Sequence, residues 1–338
     1  MQAIMVSETG GPDVLQVTET QMPEPGPGEV LVRVLAAGVG PWDASLRTGR
    51  LAWDLPVIPG GEFSGLVVGD TGAEAWFEDG EPVYGYPALT GCYAEYVTCP
   101  SEQMAPIPAG LSNIDAAAVP IDALTAQQGL QDHLGIRAGD TVLITAAAGG
   151  IGHLAVQIAR AHGASVVATA SRHNHEFLHT LGAELVVDHM QPDWPDQVRA
   201  LTSGGADKVL ACAGPTLAGA ARAAADGAVV ATPVHGEDQP EADRIHWVTY
   251  NGEARGSGLI ALAPWFDDGT LTVHIARRFF WKEAAAAHRE VETGHTAARS
   301  CWSLTRTSRP RTGCKSPAGL RACRGSWRRE LSASPGAG

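Results

Sequence analysis

The 338-residue chain is poor in positive charge, with 24 Lys and Arg against 37 Asp and Glu and a formal net charge of −13. Acidic surface repels phosphate backbones and anionic lipid, so nucleic acid and membrane are not expected partners and a small molecule is. No run of about 18 apolar residues is present to cross a bilayer. Met1 to Val6 runs into Glu8 without the basic-then-apolar pattern of a secretory signal. A cytoplasmic location is expected, where thiols stay reduced. The six cysteines form no CxxC pair and no tight cluster with histidine, so no structural zinc and no other metal is expected. Charged residues are scarce (18%) while 44% of the chain is hydrophobic, which excludes wholesale disorder and suffices for two cored domains.

What is present divides into two textures. The first third reads as short strands between frequent turns: Val30-Leu31-Val32-Arg33-Val34 follows the turn-rich Pro23 to Gly28, and further turns fall at Pro56 to Gly61, Asp79-Gly80 and Gly91. That pattern predicts a compact barrel. Near residue 113 it changes. Asn113 to Ala118 starts like a capped helix, and a second helical stretch, Ala123 to Leu134, ends near Gly135. Strand and helix then alternate: Val142-Leu143-Ile144, a helix from His153 to His162, Val166 to Thr169, Glu184 to Val187, Lys208 to Ala211 and Val229 to Ala231. Such alternation predicts a doubly wound parallel sheet. The fold class is therefore α/β, with a β-barrel domain at 1–122 and a Rossmann-like domain at 123–254. His133, His153 and His162 read as helix-surface residues.

Ala147-Ala148-Gly149-Gly150-Ile151-Gly152 sits between a strand ending at Thr145 and an amphipathic helix. It matches the dinucleotide fingerprint except that Ala147 replaces the first glycine. Gly149 lets the backbone approach a pyrophosphate, and Gly152 lets helix and strand pack closely. The helix N-terminus offers free N–H groups to phosphate. Ala148, Gly149, Gly150, Ile151 and Gly152 are the expected cofactor loop. The next strand ends in Ala170-Ser171-Arg172. NAD enzymes place an acid there for the ribose 2′-hydroxyl. Here Ser171 can donate a hydrogen bond and Arg172 a bidentate ionic contact to a 2′-phosphate, so NADPH is the expected cofactor.

These residues belong to a wider pattern. Ala36-Ala37-Gly38-Val39-Gly40-Pro41-Trp42-Asp43, Pro59-Gly60-Gly61-Glu62-Phe63-Ser64-Gly65, Gly91-Cys92-Tyr93-Ala94-Glu95-Tyr96, Leu124-Thr125-Ala126 and the loop ending at Gly152 follow one another in order. The chain, from Met1 to about Thr296, resembles the medium-chain dehydrogenase/reductase superfamily, and within it the zinc-free, zeta-crystallin-like quinone oxidoreductase branch. The resemblance implies a GroES-like catalytic domain at 1–122 completed by about 255–298, a Rossmann NADPH-binding domain at 123–254, an active site in the cleft between the domains and a homodimer. It also implies NADPH-dependent hydride transfer to a quinone or an α,β-unsaturated carbonyl. Zinc-dependent relatives carry Cys in the first motif and His at Gly61, and neither is present. Quinone reductases of the branch usually have Asn at Gly40. Trp42 is the candidate flat wall for an acceptor, Asp43 a candidate for ordering a water or holding the loop, and Thr125 the residue expected near the nicotinamide. Tyr84, Tyr86 and Tyr93 are possible proton donors. The alternative function is an NADPH-binding regulatory or structural protein with little catalysis.

The chain from Arg299 onward is different in kind, with nine Lys or Arg, one acid (Glu330) and half of the cysteines. Relatives end on a strand resembling Arg-Gly-Lys-Ile-Val-Leu-Val after a Glu-x-Gly-His turn, here Glu292-Thr293-Gly294-His295. A permitted coding of residues 297–303, read one base earlier, yields that strand. A frameshift near Thr296 is therefore expected, with 299–338 a disordered, basic tail and the barrel lacking its closing strand.

Overall fold

The computed structural model of the chain describes residues 1–69, 76–236, 239–240, 243–294 and 299–303. Strands β1 (Gln2–Val6) and β2 (Leu15–Glu19) form an antiparallel pair. A seven-stranded sheet then wraps the barrel core. It uses β3 (Glu29–Val39), β4 (Phe63–Val67), β5 (Pro82–Gly85), β6 (Tyr96–Pro100) and β7 (Met104–Pro106). The long strand β3 alternates half-buried and buried residues, so one face carries Val30, Val32 and Val34 into the barrel. Helix α1 (Pro41–Arg47) leaves β3 directly, and α2 (Asn113–Ala116) and α3 (Pro120–Gln128) lead out of the barrel. Helix α3 runs across the expected boundary at 122/123 and continues as one wide turn through His133.

The second sheet is parallel throughout: β8 (Thr141–Thr145), β9 (Ser165–Ala170), β10 (Leu185–Asp188), β11 (Ala206–Ala211), β12 (Ala224–Thr232) and β13 (His246–Thr249). The central strands are buried on both faces, as in a sheet covered by helices on each side. Those helices are α4 (Gly150–Ala161), α5 (His175–Leu181), α6 (Trp194–Leu201) and α7 (Leu217–Ala223). The strand order is β10-β9-β8-β11-β12-β13. It reverses between β8 and β11, which opens a crevice beyond the carboxyl ends of those two strands. The barrel and the Rossmann sheet match the expected fold class. Helix α8 (Gly256–Asp268) then returns to β7, and β14 (Ile275–Phe280) and α9 (Ala284–Glu292) rejoin the barrel.

The closing strand corrects the sequence reading. Arg299–Ser303 forms β15, parallel to β14 and antiparallel to β3, with Ser300 to Ser303 opposite Val39 to Ala36. Cys301 and Trp302 are fully buried, and the Trp302 ring meets Tyr93 edge-on at 5.3 Å. A mere five residues suffice, because the groove between β14 and β3 offers backbone partners on both sides and an apolar core beneath. The rest of the expected tail, 304–338, lies outside the described residues.

Candidate functional site

The loop after β8 has a strand–turn–helix geometry that could hold a phosphate. The chain turns at Ala146 (φ 49°), and α4 begins at Gly150, three residues earlier than the pattern suggests. Glycine's low helix propensity hides this start, which is set by the first intrahelical bond, His153 N–H to Gly149 O at 3.0 Å. The N–H groups of Gly150, Ile151 and Gly152 therefore occupy the first turn, where an α-helix has no acceptor of its own. A Cβ at Gly152 would lie 2.6 Å from Ala146 O and Ala147 Cα, so glycine is required there for packing. At Gly149 a Cβ would meet only Ala146 O at 3.2 Å, so the protein leaves that flank open to a ligand. Ala148 is buried beneath the turn.

His153 is not a surface residue. It is fully buried; its Nδ1 lies 3.0 Å from Gly149 O, and its Nε2 accepts the His274 N–H at 3.3 Å. Burial pushes its pKa down to about 4, so it is neutral with the proton on Nδ1. One turn on, Gln157 bonds both the carbonyl and the N–H of Thr272. Together they tie this loop to the segment that crosses back to the barrel. His133 and His162 are also half-buried, His133 against the Tyr250 ring and His162 3.0 Å from Gln131 Nε2.

At the end of β9, Ser171 caps a short turn Arg172–Asn174. Arg172 is exposed, and its guanidinium has no hydrogen-bond or ionic partner among the described residues. A cation without a partner at the strand end, with no acid beside it, is suited to an anionic ligand.

The barrel motifs meet around Asp43. Its Oδ2 accepts the Gly40 N–H at 2.8 Å and its Oδ1 the Gly60 N–H at 3.0 Å, while the residue itself is fully buried. Asp43 thus holds the first two motif loops together. A Cβ on Gly40 would collide with the Trp42 indole. The half-buried Trp42 ring therefore fills the space that Asn would take in quinone reductases. The Gly61 side is closed as well, since a Cβ there would lie 2.8 Å from Ile121 Cδ1. Tyr84 and Tyr93 are fully buried in the hydrophobic clusters, their hydroxyls directed at Leu259 O and His288 Nε2, and burial raises both pKa values. That placement removes them as proton donors; Tyr86 stays half-buried.

The third group lies at the crevice. Thr145 ends β8, and its Oγ1 accepts the N–H of Cys212, the residue after β11, at 3.2 Å. Thr125 on α3 is nearly buried; its carbonyl accepts the Tyr250 hydroxyl at 2.9 Å, and its Oγ1 packs on Gly252. One turn earlier on α3 stands Asp122, fully buried, with its pKa pushed up to about 8 by that burial. Sequence reasoning missed it, because nothing in Pro120-Ile121-Asp122 marks a carboxyl that folding will enclose. Glu62 was also passed over: its Oε2 accepts the Ile121 N–H at 2.8 Å and fixes the start of α3 to the second barrel motif.

The family models match this division. Residues 26–109 match the alcohol dehydrogenase GroES-like domain and 150–242 the zinc-binding dehydrogenase domain. A solved NAD-dependent alcohol dehydrogenase is 31% identical with a TM-score of 0.82, over 90% of this chain and 100% of that one. The chain belongs to the medium-chain dehydrogenase/reductase superfamily. Mouse quinone oxidoreductase is 34% identical over 212 residues, covering 62% of this chain and 64% of that protein. The chain thus spans a little under two thirds of such curated relatives. A mycobacterial protein solved in complex with NADPH is 28% identical with a TM-score of 0.81, over 90% of this chain and 99% of that one. Within the superfamily the chain is similar to the quinone oxidoreductases. Despite the name of one domain model, zinc does not fit the residues present. Gly40 and Gly61 supply no donor, Ile121 fills the flank of Gly61, and no cluster of three or more His, Cys, Asp or Glu among the described residues could hold a metal.

Proposed function

We propose that the protein is a cytoplasmic, NADPH-dependent reductase that passes hydride to a quinone or an α,β-unsaturated carbonyl compound without zinc. The observation that carries the reading is Arg172, exposed at the end of β9 where an NAD enzyme would place an acid. The cofactor would supply the hydride; the chain supplies place and surroundings. The first-turn N–H groups of Gly150, Ile151 and Gly152 would receive the pyrophosphate, with Ala148 and Gly149 shaping the turn that leads into them, and Ser171 and Arg172 the 2′-phosphate. Thr125 would flank the nicotinamide at the crevice, and Trp42 would give a planar acceptor a flat wall. Such acceptors spread the incoming charge onto their own oxygen, so positioning and a hydrogen bond serve them without a Lewis acid. Among the described residues β13 pairs only with β12, and an edge left so supports a homodimer. One structural neighbour is named for NAD, so the cofactor is the point to test.

Arg172→Ala is expected to weaken NADPH binding about tenfold to a hundredfold, as for a lost charge-assisted contact of roughly 1.5–3 kcal/mol, with NADH affinity unchanged. Fluorescence titration of both cofactors measures it. Equal affinities in the unaltered protein, or equal losses in the variant, would refute the assignment.

A further inference from the structure

Helix α4 is tied to the segment 272–274 by two buried polar side chains, one turn apart, that bond in the same way. His153 places Nδ1 3.0 Å from the carbonyl oxygen of Gly149, four residues back, and its Nε2 accepts the His274 N–H at 3.3 Å. Gln157 donates to the carbonyl of His153, again four residues back, at 2.9 Å, and its Oε1 accepts the Thr272 N–H at 2.9 Å. The pairs 153–274 and 157–272 run antiparallel, so two alternate residues are laid along α4 and held by their backbones. Strand β14 starts at Ile275, directly after them. The other buried side chains of α4 are apolar. Packing alone is served by such residues; a buried imidazole and a buried amide add direction.

The directed group is the Gly149 carbonyl. Nε2 is an acceptor and burial keeps the ring neutral, so Nδ1 carries the proton and donates to that oxygen. The same oxygen accepts the His153 backbone N–H at 3.0 Å, so both of its lone pairs are used. The peptide that follows is planar and trans, which turns the Gly150 N–H the opposite way, out of the end of the helix. Two consecutive glycines would otherwise leave this peptide free to rotate.

We propose that His153 is a positioning residue for the cofactor diphosphate: held by the His274 N–H, its imidazole fixes the Gly149–Gly150 peptide with the N–H toward the ligand. The inference rests on the reading of the loop after β8 as the pyrophosphate site. It makes the shape of that loop depend on the segment that returns to the barrel. By reciprocity, a ligand that requires this peptide orientation must steady residues 272–274.

His153→Leu fills the space without either hydrogen bond. NADPH affinity is expected to fall about tenfold, while adenosine 2′-monophosphate, which has no diphosphate, binds as before. His153→Gln carries a donor and an acceptor, as Gln157 does, and should recover most of the loss; a merely space-filling role would not distinguish Gln from Leu in this way. Two readings need no variant. In nitrogen-15 spectra of the histidines, Nε2 of His153 should be the unprotonated nitrogen from pH 6 to 8. In hydrogen exchange, NADPH should slow the amides of Thr272 and His274 together with those of Gly150 to Gly152. A proton on Nε2, amides at 272 and 274 indifferent to NADPH, or equal losses for NADPH and adenosine 2′-monophosphate would overturn the inference while leaving the cofactor site standing. If NADPH binds without protecting Gly150 to Gly152, or does not bind, the reading of the loop falls and the inference with it.

Discussion

Trp302→Ala is expected to lower the melting temperature by roughly 6–20 °C or to prevent folding. Removing a buried tryptophan costs about 3–5 kcal/mol in lost burial and residual cavity, and a chain of this size loses a few degrees for each kcal/mol. The environment makes relaxation difficult. Trp302 is fully buried, edge-on to Tyr93. The Tyr93 hydroxyl lies 3.4 Å from His288 Nε2, and His288 accepts a hydrogen bond from the buried Arg47, which also pairs with Glu292. A cavity here would open onto a buried cation, so water would enter and the β14–β15–β3 ladder would lose its underside. Thermal unfolding followed by circular dichroism measures the effect, with Trp302→Phe expected to be much milder. An unchanged melting temperature in Trp302→Ala would mean that β15 is not packed, and that the chain lacks its closing strand as its composition suggests.

The second large effect is a stability maximum near pH 6.5. His153 and His288 are buried and neutral, with pKa values pushed down from 6.5 to about 4 and about 3, His288 by burial first and then by Arg47. Below pH 6.5 the unfolded chain takes up protons that the folded chain cannot. Each histidine therefore removes up to about 1.4 kcal/mol of stability per pH unit on acidification. Asp122 works the other way. Its pKa rises from 3.8 to about 8, so between those values the folded chain holds a proton that the unfolded chain has lost, and stability falls as pH rises. From about pH 4 to 6.5 two histidines outweigh one carboxyl and stability climbs; from 6.5 to 8 the carboxyl acts alone and it declines. Urea unfolding from pH 5 to 9 should show this dome. Asp122→Asn should remove the decline above pH 6.5 and keep the acid limb. A decline of the same size in that variant would contradict the account.

The sequence made the cofactor loop legible because its chemistry is local: a strand, a turn and a helix in succession, with Gly152 required by contacts five or six residues away. The place of Ser171 and Arg172 was legible in the same way, because they follow their strand directly. What escaped depends on distant partners. His153 stands on α4 where a polar residue reads as surface, and only the crossing segment at Thr272–His274 encloses it. Asp122 is enclosed by a packing arrangement that local sequence does not encode. Strand β13 is short, polar and at a sheet edge, so it lacks the apolar run that marks β8 or β9. At β15 composition misleads in the opposite sense. A basic, cysteine-bearing stretch reads as foreign, yet Cys301, Trp302 and Ser303 fit the groove between β14 and β3.

The central claim is that this chain spends NADPH on an electron-poor acceptor. Steady-state oxidation of NADPH, with NADH in parallel, against a panel of quinones and enones before and after dialysis against a chelator tests it most directly. The account predicts turnover with at least one acceptor of these classes, a marked preference for NADPH and no loss on chelation. NADPH binding without turnover on any acceptor, or activity that chelation abolishes and zinc restores, would contradict it.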